Sequence, residues 1–232
     1  MSYPENIDII VARYNEDLSW TLEEPFNRFN YIVYNKGDNE DFEKKLVKKI
    51  INLPNVGRND HTYLWHIVNN YDKLNDILIF LPGSVDMSYK KTKAITMLNK
   101  IINNNFQTAI FVGGRLNNNV LKEFYNFSLD KWGASYSQNF IKNNETELKK
   151  ADIRPFGKWF LFNLGNINVK FIQFEGIFSV DKRDILKYKK FRYEKLVAQL
   201  ETSSNPEVGH YIERSWSAIL SPLLHTKIFL LQ

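Results

Sequence analysis

Ile7-Asp8-Ile9-Ile10-Val11-Ala12, followed at once by Arg13-Tyr14-Asn15-Glu16-Asp17, is the stretch whose reading decides the fold. The first six residues are rich in β-branched side chains and too few for a helix that buries a face. A short, nearly continuous apolar run of this kind marks a strand covered on both sides. The chain then turns polar within one residue, so the strand ends at Arg13. In sheets of buried parallel strands, ligands bind just beyond the carboxyl ends. Arg13 to Glu16 therefore reads as one wall of a ligand site; the plainer alternative is a strand end with solvated polar residues.

Working outward, Asn30 to Tyr34 reads as a second strand, stopped by Asn35-Lys36-Gly37-Asp38. Lys49 to Leu53 reads as a third, closed by Pro54, and Asp76 to Leu81 is the clearest strand, ending at Pro82-Gly83-Ser84. Between these lie helical patterns. Asp60 is the expected N-cap of a helix through Leu64, Trp65, Ile67 and Val68. Ala94, Ile95, Leu98, Ile101 and Ile102 form the stripe of a helix over Ser88 to Asn103. Gln107 to Val112, Val169 to Phe174 and Ile177 to Val180 read as further strands. A basic helix is expected over Lys182 to Leu200 and a last one over Val208 to Leu220. Strands alternating with helices predict an α/β fold: a single domain over residues 1–232, with a mainly parallel central sheet flanked by helices. Residues 117–150 are polar and poorly periodic and read as an insertion or loop region.

Composition narrows the function classes. The 232 residues include no cysteine, which removes disulfides and thiolate metal ligands. The start of the chain lacks the basic and apolar regions of a signal peptide. No apolar run approaches the ~20 residues of a membrane span. A cytoplasmic location is the expectation, or the host cytoplasm or virion for a viral chain. The net charge of +5 comes with lysine pairs such as Lys44-Lys45, Lys90-Lys91 and Lys189-Lys190, expected on solvated helix faces. Scattered pairs are weak grounds for nucleic acid as a partner. Phosphate-binding glycine motifs are missing, and Pro82 and Asp86 stand where a nucleophile elbow around Ser84 needs glycines.

Four blocks carry candidate chemistry. In the first, the Arg13 fork suits phosphate oxygens and Tyr14 suits stacking on a base. In the second, Gly57 permits a tight turn, and Arg58 with the amides of the following helix makes an anion site. His61, in the first turn of that helix, is biased towards its neutral form by the helix dipole; a capped helix with a surface histidine is the alternative. In the third, Ser84-Val85-Asp86 sets one carboxylate past a buried strand, where a cation bridging a diphosphate would be held. In the fourth, His210, Glu213, Arg214 and Ser217 share a polar stripe opposite Ile212, Trp216, Ile219 and Leu220. A histidine and a glutamate presented together serve as general base and partner; a salt-bridged surface is the alternative.

Together, Val11-Ala12-Arg13-Tyr14-Asn15-Glu16, Tyr34-Asn35-Lys36-Gly37, Pro54-Asn55-Val56-Gly57-Arg58, His61-Thr62-Tyr63-Leu64, Phe80-Leu81 and Gly209-His210-Tyr211-Ile212-Glu213-Arg214-Ser215-Trp216 resemble one uncharacterised family. This is domain-of-unknown-function family 3431, found in bacteria, fungi and large DNA viruses. A looser resemblance is to glycosyltransferases of the GT-A fold, whose first strand often ends in Tyr-Asn-Glu near the nucleotide. That resemblance implies a nucleoside-diphosphate sugar as donor and a glycan, protein or small-molecule hydroxyl as acceptor. Arg13, Tyr14, Asn15 and Glu16, with Gly57, Arg58, His61 and Ser84, would form the donor site. Asp86 would bind manganese or magnesium, joined by His210 or His225, and Glu213 would be the base. Ser84-Val85-Asp86 departs from the Asp-x-Asp of those enzymes, which puts metal dependence in question. A non-catalytic nucleotide- or glycan-binding module is the competing expectation.

Overall fold

The strand of residues 7–12 lies at the centre of the sheet. The computed structural model describes residues 4–130 and 147–231. β1 (Ile7–Arg13) pairs in parallel with β2 (Tyr31–Asn35) on one side and β4 (Ile77–Pro82) on the other, and β2 pairs in parallel with β3 (Val47–Asn52). β7 (Phe178–Asp181) runs antiparallel to β4, giving a five-stranded sheet of order β3-β2-β1-β4-β7. A second sheet has the order β6-β5-β8, from β5 (Ile110–Arg115), β6 (Phe171–Ile172) and β8 (Lys227–Leu231). β5 is parallel to β8 and antiparallel to β6. The central sheet is thus mainly parallel, as expected, but mixed: three of its four pairings are parallel and the edge pairing of β4 with β7 is antiparallel. Apolar runs mark a strand's burial, not its direction; direction depends on the path of the connection. β7 is entered through a turn at Glu175 and Gly176, both left-handed at φ 72° and 69°, instead of through a crossover helix.

The two sheets meet at a side chain. The Ser179 hydroxyl accepts from the Ile110 amide at 2.6 Å and donates to the Ile110 carbonyl at 2.9 Å. It satisfies both backbone groups of Ile110, which would be costly if left unpaired in the core.

Alternation along β1 explains why it is apolar throughout. Ile10 and Ala12 face one core cluster with Leu78, Phe80 and Phe178, while Ile9 and Val11 face the other with Ile79 and Leu81. α2 (Ser88–Asn103) covers the second face through Ala94, Met97, Leu98 and Ile101. The first face is covered by α1 (Arg58–Asn69), with α3 (Val120–Glu123), α4 (Phe156–Leu164), α5 (Lys182–Leu186), α6 (Lys190–Ala198) and α7 (Glu207–Ile219). The basic helix expected over 182–200 is two helices, parted at Lys187 to Lys189. α4 and β8 were not expected. Four of the nine α4 residues, Phe156, Trp159, Phe160 and Leu164, are buried apolar side chains, but the helix follows a stretch without periodicity. Of the region 117–150, residues 131–146 lie outside the described residues.

The lysine pairs do not keep to helix faces. Lys48 and Lys49 lie on β3, and Lys48 pairs with Asp8 at 2.6 Å. No helix among the described residues is long and apolar enough to cross a membrane.

An aromatic cluster ties the two helices that matter most to the sheet. Tyr63 of α1 and Trp216 of α7 pack on Phe80 of β4 and Phe178 of β7, with ring centroids 4.8 Å (Tyr63–Phe80), 4.9 Å (Phe80–Phe178) and 4.9 Å (Phe178–Trp216) apart. Each such pair adds roughly 0.5–1.5 kcal/mol beyond area burial. The cluster fixes the second turn of α1 and the last turn of α7 relative to β4.

Candidate functional site

The strand order places a switch point between β1 and β4: the chain leaves β1 towards β2 on one side, and β4 is added on the other. A crevice opens at such a point beyond the strand ends. Its walls are the Arg13–Glu16 and Gly83–Asp86 loops, and they touch. A Cβ on Gly83 would stand 2.7 Å from the Glu16 carboxylate, so any larger residue there would displace that carboxylate. That carboxylate also accepts the amides of Tyr14 at 2.7 Å and Asn15 at 3.2 Å. Trp20 donates to the Gly83 carbonyl at 2.8 Å, which fixes the second loop from beneath.

Arg13 is placed differently from the expectation of a phosphate ligand. Its side chain is fully buried. Nε donates to the Glu16 carbonyl at 2.6 Å, and Nη1 to Asn35 Oδ1 at 2.6 Å and the Asn39 carbonyl at 2.5 Å. The guanidinium also lies over Phe42, 4.1 Å from the ring centroid. Arg13 therefore clamps the loops after β1 and β2. Tyr14 is half-buried and lines a groove of about 480 Å³ beyond β1, β2 and β3, with Lys36, Gly37, Asn52 and Asn55. Asn15 is exposed beside it.

Gly57 adopts φ 59°, and a Cβ there would meet Leu200 Cβ at 2.6 Å and His61 Cβ at 2.7 Å. The turn expected at Gly57 is present, and Arg58 continues it at φ 52°. Gly57, not Asp60, is the residue before α1, and among the described residues no side chain caps this helix. The Lys36 ammonium donates to the carbonyls of Val56 and Arg58, the latter at 2.7 Å. Burial brings its pKa down to about 7. His61 is buried rather than at the surface. Burial first, and the neighbouring Lys36 charge second, bring its pKa down to about 4.

Asp60 is turned inward, where Trp216 Nε1 donates to it at 2.6 Å. A buried carboxylate is costly. Burial, then the charge of Glu213, push the Asp60 carboxyl up to about 8. The folded protein so holds a proton that the unfolded chain loses near ~3.9. Between those values the native state binds one more proton than the unfolded state. Stability is expected to fall with rising pH by up to ~1.4 kcal/mol per pH unit, with no further loss well above the folded value. Asp60→Asn keeps an acceptor for Trp216 and is expected to flatten this slope. Urea unfolding at about pH 5, 7 and 9 checks it; equal slopes for the two proteins would show that Asp60 is ionised in the folded state.

On α7, Glu213 is half-buried and its Oε1 accepts the Glu175 amide at 2.9 Å. Arg214 lies 3.9 Å from its other oxygen and is packed against Phe127, 3.9 Å from the ring centroid. His210 and Ser217 are buried while Glu213 and Arg214 are half-buried, so half of the stripe predicted to be polar is interior. Burial, with Arg58 and Arg214 nearby, brings the His210 pKa down to about 3. A base that weak is poorly matched to neutral pH. His225 leads into β8, its amide bound to Asp184 at 3.1 Å.

Beyond β4, Asp86 is exposed, and the Ser84 hydroxyl accepts from the ammonium of Lys90, in the first turn of α2, at 2.7 Å. Burial lowers the pKa of Lys90, against the charges of Glu16, Glu175 and Glu213 that raise it; Arg58 lowers it further. Lys93, one turn on, donates to the Phe174 carbonyl at 2.6 Å and pairs with Glu175 at 3.3 Å. Glu16, Arg58, Asp60, Lys90 and Glu213 thus form one electrostatic centre drawn from four segments of the chain. Sequence reading assigned Lys90 to a solvated face and Asp60 to a cap. The available signal for Lys90 was position: it lies in the first helical turn after the most apolar strand.

These residues do not make a divalent-cation site around Asp86. A cation shared by Ser84 and Asp86 would meet the Lys90 ammonium already on the serine oxygen, and like charges at that range repel. Among the described residues no group of three or more histidine, aspartate or glutamate side chains is placed to hold a metal.

No curated protein and no solved structure matches the chain. Residues 9–225 match the family described as "Protein of unknown function (DUF3431)". That span runs from β1 to the approach to β8 and takes in every residue of the crevice, and the chain belongs to this family.

Proposed function

We propose that this protein is a GT-A-like glycosyltransferase that moves a sugar from a nucleoside-diphosphate donor to an acceptor hydroxyl. The observation that supports this most is that a polar groove beyond β1, β2 and β3 and a group of cations and carboxylates beyond β4 lie at the same, carboxyl end of the parallel strands. The groove beside Tyr14 suits a nucleoside: an aromatic face for the base and amide side chains for its edges. The cations beyond β4 suit a diphosphate, and Glu213 suits an acceptor hydroxyl.

In the transfer, the acceptor O–H gives its proton to Glu213 and its oxygen bonds the anomeric carbon of the sugar. The bond from that carbon to the diphosphate oxygen breaks, and the diphosphate leaves with the electron pair. Lys90 and Arg58 oppose the charge that develops on the leaving group, and positioning both reactants in one crevice lowers the barrier further. His210, with its low basicity, takes no proton in this scheme. The acceptor is a glycan, protein or small-molecule hydroxyl.

Incubation with a panel of nucleotide sugars, followed by detection of released nucleoside diphosphate, tests the proposal. Release from at least one donor is expected; no binding and no release from any donor would refute it. The second reading is a nucleotide- or glycan-binding module without turnover. It is favoured by Ser84 standing where the Asp-x-Asp of GT-A enzymes has its first carboxylate. Thermal stabilisation by a nucleotide, with no product from any donor and acceptor, would select it.

A further inference from the structure

We infer that this site takes a nucleoside diphosphate without a divalent metal, using the ammonium of Lys90 where a metal ion would otherwise stand. The inference rests on the nucleotide reading given above and goes beyond it by naming what neutralises the diphosphate.

Three observations carry it. First, Lys90 is held at the carboxyl end of β4 by its 2.7 Å bond to Ser84, a strand-end hydroxyl that would otherwise be open to a cation. An ammonium has three donors, and this contact uses one. Second, the neighbouring carboxylates are committed to other work. Glu16 accepts the amides of Tyr14 and Asn15, and Glu213 accepts that of Glu175. Asp86 alone is exposed, and a lone carboxylate is a weak ligand for a hard cation that prefers six oxygens. Third, Lys90 is half-buried on the first turn of a sixteen-residue helix, among side chains of both signs. A partly desolvated ammonium gains more from a phosphate than one in water, because less solvent screens the contact. Lys90 is the third residue of α2, and its bond to Ser84 carries its ammonium back onto the loop that would carry the metal.

Calorimetric titration of the full-length protein with uridine, guanosine, adenosine, cytidine and thymidine diphosphates, in EDTA and again in manganese, tests this. At least one diphosphate is expected to bind with an affinity that manganese changes by less than ~3-fold. Lys90→Met is expected to weaken that binding by ~10-fold or more, the loss of one charge-assisted contact, while the matching nucleoside is affected by less than ~3-fold. Lys90→Arg, which keeps the charge and the helix, is expected to retain most of the affinity and controls for folding of the methionine variant. Binding that appears only with manganese, or that Lys90→Met leaves unchanged, overturns the inference and leaves the proposed function standing. Failure of every diphosphate to bind in either condition overturns the proposed function itself.

Discussion

Glu213→Gln is expected to lower sugar transfer by ~10²–10⁴-fold, the range for loss of a general base, with little change in melting temperature. The asymmetry follows from what each carboxylate oxygen does. Oε1 accepts the Glu175 amide at 2.9 Å, and a glutamine oxygen can do the same, so the left-handed turn at Glu175 and Gly176 keeps its support. What the substitution removes is the capacity to take a proton. It also removes a charge, and Asp60 reports on that. The Glu213 charge helps hold the Asp60 carboxyl at about 8, so the variant is expected to titrate Asp60 at a lower pH. Steady-state kinetics with an active donor and stability curves against pH measure the two effects. Turnover within a factor of ~3 of the parent would exclude Glu213 as the base. An unchanged Asp60 titration would place Glu213 outside the electrostatic centre.

Glu207→Ala is expected to cost about 3–5 kcal/mol of folding stability, the penalty for breaking a buried charge network. Glu207 opens α7 and is fully buried. Its Oε1 accepts the Leu129 amide at 2.8 Å and the Tyr211 hydroxyl at 2.8 Å; its Oε2 accepts the Ala151 amide at 2.9 Å and lies 2.8 Å from Arg154 Nε. One carboxylate so ties together both described flanks of residues 131–146 and the first turn of the helix that carries Glu213. A small side chain would leave two backbone donors and a phenol without an acceptor in the interior. For a chain of this length the loss corresponds to a fall in melting temperature on the order of 10 °C. Glu207→Gln, which keeps one acceptor oxygen, is expected to lose less. Hydrogen exchange at Leu129 and Ala151 provides a local reading, with faster exchange expected at both in the alanine variant. A melting temperature within ~2 °C of the parent would show that the flanks are held by other contacts.

The two helix starts show how differently local and distant signals can be read. Gly57 was legible: a left-handed turn before a helix calls for glycine, and the structure has φ 59° there. Asp60, three residues later, was not. Its residue type and position fit a cap, yet its partner is Trp216, 156 residues away. Arg13 is a similar case. An arginine after a strand suits a phosphate, and nothing adjacent to it shows that Asn35 and Asn39 take its donors.

The chain's own order of residues determined β1, β2 and β4 and the polar loops that follow them. A run of β-branched residues is costly to expose and inefficient as a helix, and the following polar residues cannot continue into the core. It also determined the apolar face of α7, since Ile212, Trp216, Ile219 and Leu220 can be buried together only on a helix. Tertiary structure alone decided the antiparallel entry of β7, the inward turn of Asp60 and Arg13, and the placing of Lys90 on Ser84. Periodicity encodes which side of an element leaves water, because that depends on neighbours three or four residues away. The partner of a buried charge depends on which distant segment the fold brings within ~3 Å, and its pKa and chemistry follow from that partner. The polar cluster after β1 was therefore visible from the first residues, but the partners of Arg13 on the loop after β2 and of Glu16 on the loop after β4 came only with the fold.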